Sequence, residues 1–353
     1  DGVINNSDLE LLNQNLGFVA NTPAVITPSN ILTHQELETT IDLGKFVSDA
    51  DNDALAYSIS NPVNGTLETL NDGQTVVFKP ASNFAGVGSF KISVDDGGYE
   101  VSETININVS DAPLINLEII KSKKQLNVGE TISLEVQGDF ADAEDVVLPD
   151  SYLTYGTENA EIAQISASGD VTASSEGTTI LSVKRNNISA VTAVRAGQLK
   201  TPQNQGELNV AIAELYGLDS YPDAVTLPVG GTRQLLVGLN EVQESPDLKP
   251  AASGTRYFVS DSNILNVSVD GQITALKEGF ATVTIVHGAA EEIIPVRVGT
   301  EVTGPATVGA DGGIVKADDG SAVMIAPGAL DANTTVSLTA LNQAQLSLPI
   351  PEG

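Results

Sequence analysis

Asp49, Asp51 and Asp53 place three carboxylates at every second residue of one short stretch, and Asp95 with Asp96 add two more just ahead of Gly97 and Gly98. Acids grouped this way repel one another unless a cation neutralises them. Calcium takes about six to eight oxygen ligands, which loop carboxylates and backbone carbonyls supply together. The competing reading is a solvated acidic loop. Other reactive constellations are absent from the sequence. The two histidines, His34 and His287, fall in different predicted modules, so neither a histidine-rich metal centre nor a shared acid-base pair is expected. His287 ends a strand that starts at Phe280 and is expected on its surface. No Gly-x-Ser-x-Gly elbow, phosphate loop or dinucleotide fingerprint occurs. The acids concentrate on turns and few aromatic residues are available to stack a sugar, which argues against a glycosidase cleft. The expectation is that the chain is not an enzyme.

The composition bounds the partners. Lys and Arg total 16 against 46 Asp and Glu, a net charge of -30, which makes binding to nucleic acid or anionic lipid electrostatically unfavourable and metal cations the natural partners. With no cysteine there is no disulfide framework, thiolate nucleophile or Cys-ligated zinc site. No apolar run approaches the roughly eighteen residues of a membrane span, so no membrane insertion is expected in this segment. The N-terminus has no basic and apolar leader pattern, and any signal or anchor is expected outside this sequence. Gly is abundant, Trp is absent and Met occurs once, which favours turn-rich β-structure with small aliphatic cores. The 353 residues exceed one ordinary sandwich.

Punctuation along the chain separates five segments. In residues 1–20, Asp1, Asn5 and Asp8 are set around Gly2 as in the second half of an EF-hand loop, with Asp8 where a carboxylate closes the coordination sphere. Leu9, Leu12 and Leu16 follow at helical spacing and predict a short N-terminal helix, which a plain capped helix would also explain. The segment resembles a partial dockerin repeat, ending in Leu16-Gly17. Residues 21–113 show strict alternation at Ile105, Ile107 and Val109 against Asn106 and Asn108, the mark of a strand with one wet face. With the Asp49 to Asp53 stretch, Asn64-Gly65-Thr66-Leu67 and Phe78 to Gly86, this segment resembles a cadherin-like tandem repeat of bacterial surface proteins. That resemblance implies calcium at the Asp-x-Asp motif, with Asn21 and Asp111 contributing from the two ends of the module.

Residues 114–199 contain Leu126 to Leu134, a strand, glycine turn and strand, then a hairpin turning at Gly169 and a strand after Gly177. The same phrases recur in 200–299 at Leu227 to Leu235, Gly271 and Gly279, an internal repeat of about a hundred residues, the size of one sandwich. Both copies resemble group 2 bacterial Ig-like domains, and Lys200 to Gly206 reads as a polar linker between them. Residues 300–353, with Asp311-Gly312-Gly313 and a strand expected over 335–341, resemble the start of a ZU-type β-sandwich.

The expected fold is all-β: tandem Ig-like and cadherin-like β-sandwiches in a linear array, with a short N-terminal helix. The resemblances imply an extracellular or cell-surface structural or adhesive protein, a calcium-stiffened stalk. A fibre subunit assembled by strand pairing between copies, or ancillary modules of a secreted dockerin-bearing carbohydrate-active enzyme, are the alternatives. Partners would be other copies or other surface proteins met through edge strands, with carbohydrate or cell-wall contact left to parts outside this segment. Asn-x-Ser/Thr acceptor patterns stand at Asn5, Asn64, Asn108, Asn187, Asn266 and Asn333.

Overall fold

Alternation of apolar and polar residues builds paired β-sheets, and the computed structural model describes residues 5–14, 21–242 and 244–339. The chain divides into two units, Asp1–Ala112 and Pro113–Gly353.

In the first unit, helix α1 (Asn6–Gln14) carries the short N-terminal helix that the leucine spacing predicts. Its Leu9 and Leu12 side chains are exposed. The module that follows has one sheet in which Ile31–His34 runs parallel to Glu100–Ser110, with Gly86–Asp95 and Ala56–Val63 added antiparallel. The facing sheet is Thr39–Asp42, Thr75–Pro80 and Gly65–Thr69. Phe78, Phe90, Ile92, Ile105 and Ile107 fill the space between them. Asn106 and Asn108 point to solvent, so the alternation read from the sequence is the inside-outside pattern of the strand.

In the second unit, Gln125–Leu126, Ile188–Ala196, Gly177–Arg185 and Thr154–Thr157 form one sheet, and Thr131–Ser133, Asp170–Ala173 and Ala163–Ile165 another. The glycine turn after Leu126 therefore carries the chain from one sheet to the other instead of closing a hairpin. Residues 218–299 repeat the arrangement: Val225–Pro228, Ala290–Gly299, Gly279–His287 and Arg256–Val259 against Thr232–Gln234, Gln272–Ala275 and Leu265–Val267. Gly177 and Gly279 share a φ of 150°. A Cβ at either would lie 2.7 or 2.6 Å from the Cδ1 of Ile162 or Ile264, so both copies need glycine there for the same packing reason. In the last segment Glu301–Thr303 and Ala322–Ile325 flank Gly313–Lys316, and Ala306–Val308 pairs with Thr334–Val336. The strand expected over 335–341 is shorter, spanning Thr334–Val336, with residues 337–339 outside any strand and 340–341 outside the described residues.

Two expectations are corrected. The polar stretch from Lys200 does not stay a linker, because helix α2 (Gln205–Tyr216) starts inside it. Asn204 accepts from the Glu207 N–H at 2.9 Å, and Glu207 accepts from the Gln203 N–H at 2.6 Å, a reciprocal cap that turns the polar residues into a helix start. His287 is not a surface residue: it is fully buried, its Nδ1 3.0 Å from the Thr255 hydroxyl and its Nε2 without a hydrogen bond. The strand it ends is covered on both faces over its last residues, and α2 lies against it. Among the described residues no helix is long and apolar enough to cross a membrane.

Truncating Phe78 to alanine should destabilise the first module by about 3–5 kcal/mol, read from chemical denaturation, because the ring is completely buried. Burial lowers the His287 pKa from its ordinary 6.5 against the opposing pull of Glu214. The unfolded chain then takes up a proton that the folded one refuses. The stability this group contributes is complete above about pH 6.5 and is lost as pH falls from there through the lower folded value. Unfolding of wild type and His287→Gln between pH 7.5 and 5 should show the steeper decline in the wild type.

Candidate metal centre

The acidic stretch of the first module follows strand Val47–Ser48, which pairs with Val25–Ile26. Asn52, in the left-handed region at φ 59°, turns the chain between Asp51 and Asp53. Asp49 Oδ1 organises this turn by accepting from the Asp51 N–H at 3.1 Å and the Asp53 N–H at 2.9 Å. Asp51 accepts from the Thr22 N–H at 2.6 Å. Asp96 is 5% exposed, and its Oδ1 accepts from the N–H groups of Gly98 at 2.8 Å and Tyr99 at 2.7 Å and from Asn21 Nδ2 at 2.9 Å. Its Oδ2 accepts from the Ala24 N–H at 3.2 Å.

Neighbouring acids in this cluster are pushed in opposite directions. The Tyr99 and Gly98 N–H groups, followed by Asn21 and Ala24, hold the Asp96 carboxyl below the ordinary carboxylate range. Desolvation and then the charges of Asp49, Asp51 and Asp96 hold Asp53 above it.

Of the residues the sequence singled out, Asn21, Asp49, Asp51, Asp53 and Asp96 are therefore linked at one end of the module. Asp95 is exposed and accepts from the Gly97 N–H at 2.8 Å. Asp111 is placed differently. Asp95 sits opposite Glu100 at one end of the closing hairpin, whereas Asp111 follows the end of the eleven-residue strand Glu100–Ser110. At about 3.3 Å per residue that puts Asp111 roughly 36 Å along the strand from Asp95, at the far end of the module. In the N-terminal segment Asn5 accepts from the Ser7 N–H at 2.8 Å and Asp8 accepts from the Asn5 N–H at 2.9 Å, so both side chains cap α1. Asp1 lies outside the described residues.

The donor set fits calcium in kind. Asn21 Oδ1 and Asp49 Oδ2 are shielded from solvent and accept no hydrogen bond, leaving two oxygens free for an ion. The placement is less complete: among the described residues, no three carboxylate or imidazole groups form a metal-holding group. Closing a shell would bring Asp51 and Asp53 toward the two orphaned oxygens. The residue types reveal the carboxylates, whereas the N–H groups of Thr22, Ala24, Gly98 and Tyr99 that fix them are backbone donors. The Asp95-Asp96-Gly97-Gly98 turn signature is their trace in the sequence.

Residues 21–108 match the model of a bacterial Ig domain, and residues 116–196 that of the group 2 bacterial Ig-like domain. No curated protein sequence matches the chain. Similar solved structures include surface layer protein SbsC, domains 1–6, at 18% identity over 88% of this chain and 45% of that one, with a TM-score of 0.22. The chain thus spans less than half of that structure. Human Protocadherin-24 EC1-2 is 15% identical over 50% of this chain and 100% of its own, with a TM-score of 0.23. The Yersinia pseudotuberculosis adhesin InvE is 21% identical over 52% of this chain and 60% of its own, with a TM-score of 0.23. At TM-scores this low the likeness adds nothing to the domain assignment. Two bacterial Ig-like domains in tandem, within an all-β chain, are what the matches establish.

Proposed function

We propose that this chain is part of an extracellular surface or adhesive protein, in which Ig-like modules serve as a stalk and the aspartate cluster of the first module takes calcium. The observation that carries the reading is the tandem of bacterial Ig-like domains over residues 21–108 and 116–196. The excess of acids and the lack of cysteine fit a metal-loving spacer better than a nucleic-acid or membrane binder. Residues 200–299 are proposed as a second group 2 Ig-like copy on the strength of the repeated sheet order and the paired Gly177 and Gly279. The dockerin-like reading of 1–20 and the ZU-like reading of 300–353 stay attached to this proposal, as does edge-strand pairing with other copies or other surface proteins.

Antibodies raised against the chain should label intact cells of its source without permeabilisation; labelling only after lysis would overturn the surface assignment. Calcium is tested separately by thermal unfolding of the whole chain. Binding to the folded form alone stabilises by about 2.7 kcal/mol at a hundredfold excess over Kd. The first module should melt higher with calcium than with a chelator, and Asp49→Asn should abolish the difference while Asp111→Asn leaves it intact. Because Asp53 is held above its ordinary pKa, its ionised form weakens the fold as pH rises through the interval between 3.8 and the raised value. Asp53→Asn should therefore raise the melting temperature at pH 7 in chelator and lower it in calcium. Identical melts of the wild type in both conditions would remove the site.

A further inference from the structure

The strongest unexplained feature of the second unit is how completely residues 114–196 and 205–299 are locked to each other. Strands Gly177–Arg185 and Ile188–Ala196 face their own core on one side. On the other side Ile180, Val191 and Ala193 pack against Val286, Ala289 and Phe258 of the following module. Ile180, Ala193, Val286 and Ala289 are each at most 5% exposed.

A polar frame surrounds this contact. Arg195 makes a two-pronged contact with Glu214 of α2, its Nε 2.7 Å from Oε2 and its Nη2 2.5 Å from Oε1, with the two side chains only 14% and 12% exposed. The same Glu214 accepts from the Ala289 N–H at 2.8 Å, so one carboxylate ties together the last strand of one module and the helix and hairpin turn of the next. Glu291 accepts from the Ala193 N–H at 3.1 Å and from the Thr192 hydroxyl at 3.2 Å. The Ser189 N–H donates to Ser260 O at 2.8 Å, and Ile188 bridges Asp261 as an isolated antiparallel pair. Arg256 and Glu158 add a second two-pronged ion pair at the rim.

We propose that residues 114–299 act as one rigid, metal-independent element of the stalk, locked by the Arg195–Glu214 clamp that α2 inserts at the junction. Bidentate guanidinium-carboxylate contacts fix direction as well as distance, and partial burial shields this one from solvent screening. Two modules joined only by a chain segment would pivot, whereas here apolar contact, main-chain pairing and a shared carboxylate must all break together. The lock uses no group of the proposed calcium site, so stiffness at this junction and calcium in the first module stand or fall separately.

The sequence has no cysteine, which makes a distance measurement clean. Ala167→Cys and Val269→Cys place spin labels at exposed, equivalent hairpin tips of the two modules in the full chain. Electron–electron double resonance should give one narrow distance distribution, the same in calcium and in chelator. In an added Glu214→Gln background, which keeps the packing volume and removes the charge, the distribution should broaden at least twofold. Denaturation should show a single transition for both modules in the wild type and separate into two in this background. A broad wild-type distribution, or one that narrows only with calcium, would overturn the rigid element. An unchanged width in Glu214→Gln would overturn the clamp as its lock. Should Glu214→Gln fail to fold, Arg195→Lys, which keeps the charge but lacks the fork, takes its place with the same two readings.

Discussion

Each sandwich depends on how the two faces of its closing hairpin are covered. The hairpin supplies the longest strands of its sheet, and its inner side chains make the core. The outer face must then be polar or be buried by something else, since an apolar outer face left in water is a liability. In the first module Ile105 and Ile107 go inward and Asn106 and Asn108 outward, so the module satisfies this requirement with its own residues. In the second module the outer face carries Ile180, Val191 and Ala193, and the next module covers them. The composition of one sheet face thus decides whether that face can stand in water or, as in the second module, needs another module to cover it.

The acid excess imposes a second constraint, and the protein meets it mostly with backbone N–H groups. Asp96 takes three of them and Asp49 takes two, which is how a chain with 46 acids and only 16 strong bases organises its turns. The cost shows at Asp53, which desolvation and its charged neighbours Asp49, Asp51 and Asp96 hold above the ordinary carboxylate range. The junction repeats the contrast. Glu214 is met by a guanidinium, whereas Glu291 relies on one N–H and one hydroxyl, and burial pushes its carboxyl upward. At this junction the one guanidinium goes to the carboxylate that must hold a direction.

Much of this was legible in the residues. The alternation from Thr104 to Val109, the hairpins at Gly169 and Gly271 and the repeat between residues 114–199 and 200–299 all follow from side-chain period and turn chemistry. The lock between the modules was not read, although Ile188 to Ala196 lacks the polar alternation of a half-wet strand and Asn204-x-x-Glu207 spells a helix cap. Both signals are local, but their meaning depends on what packs across the sheet. His287 was missed for the same reason: a histidine ending a strand looks exposed until a helix arrives from earlier in the chain. At the aspartate cluster, residue types identified the acids but not their grouping. Asp96 joins Asn21 and Asp111 does not, because the hairpin sends its two ends to opposite poles of the module.

The repeat also shows what duplication does and does not carry over. Arg195 and Arg297 hold the same place on the last strand of their modules, opposite Thr178 and Phe280, and each reaches toward an acid in the segment that follows. The outcomes differ. Arg195 meets Glu214 through two nitrogens in a sheltered setting, whereas Arg297 stands 3.7 Å from Asp311 with side chains 38% and 85% exposed. An exposed pair of that kind contributes little, because water screens it and both side chains lose freedom to form it. The arginine is inherited, but the strength of the contact comes from the partner element. A helix can hold a carboxylate still against a neighbouring sheet. Asp311, in the loop ahead of Gly313–Lys316, has no such support, so the same arginine makes a firm contact in one place and a weak one in the other.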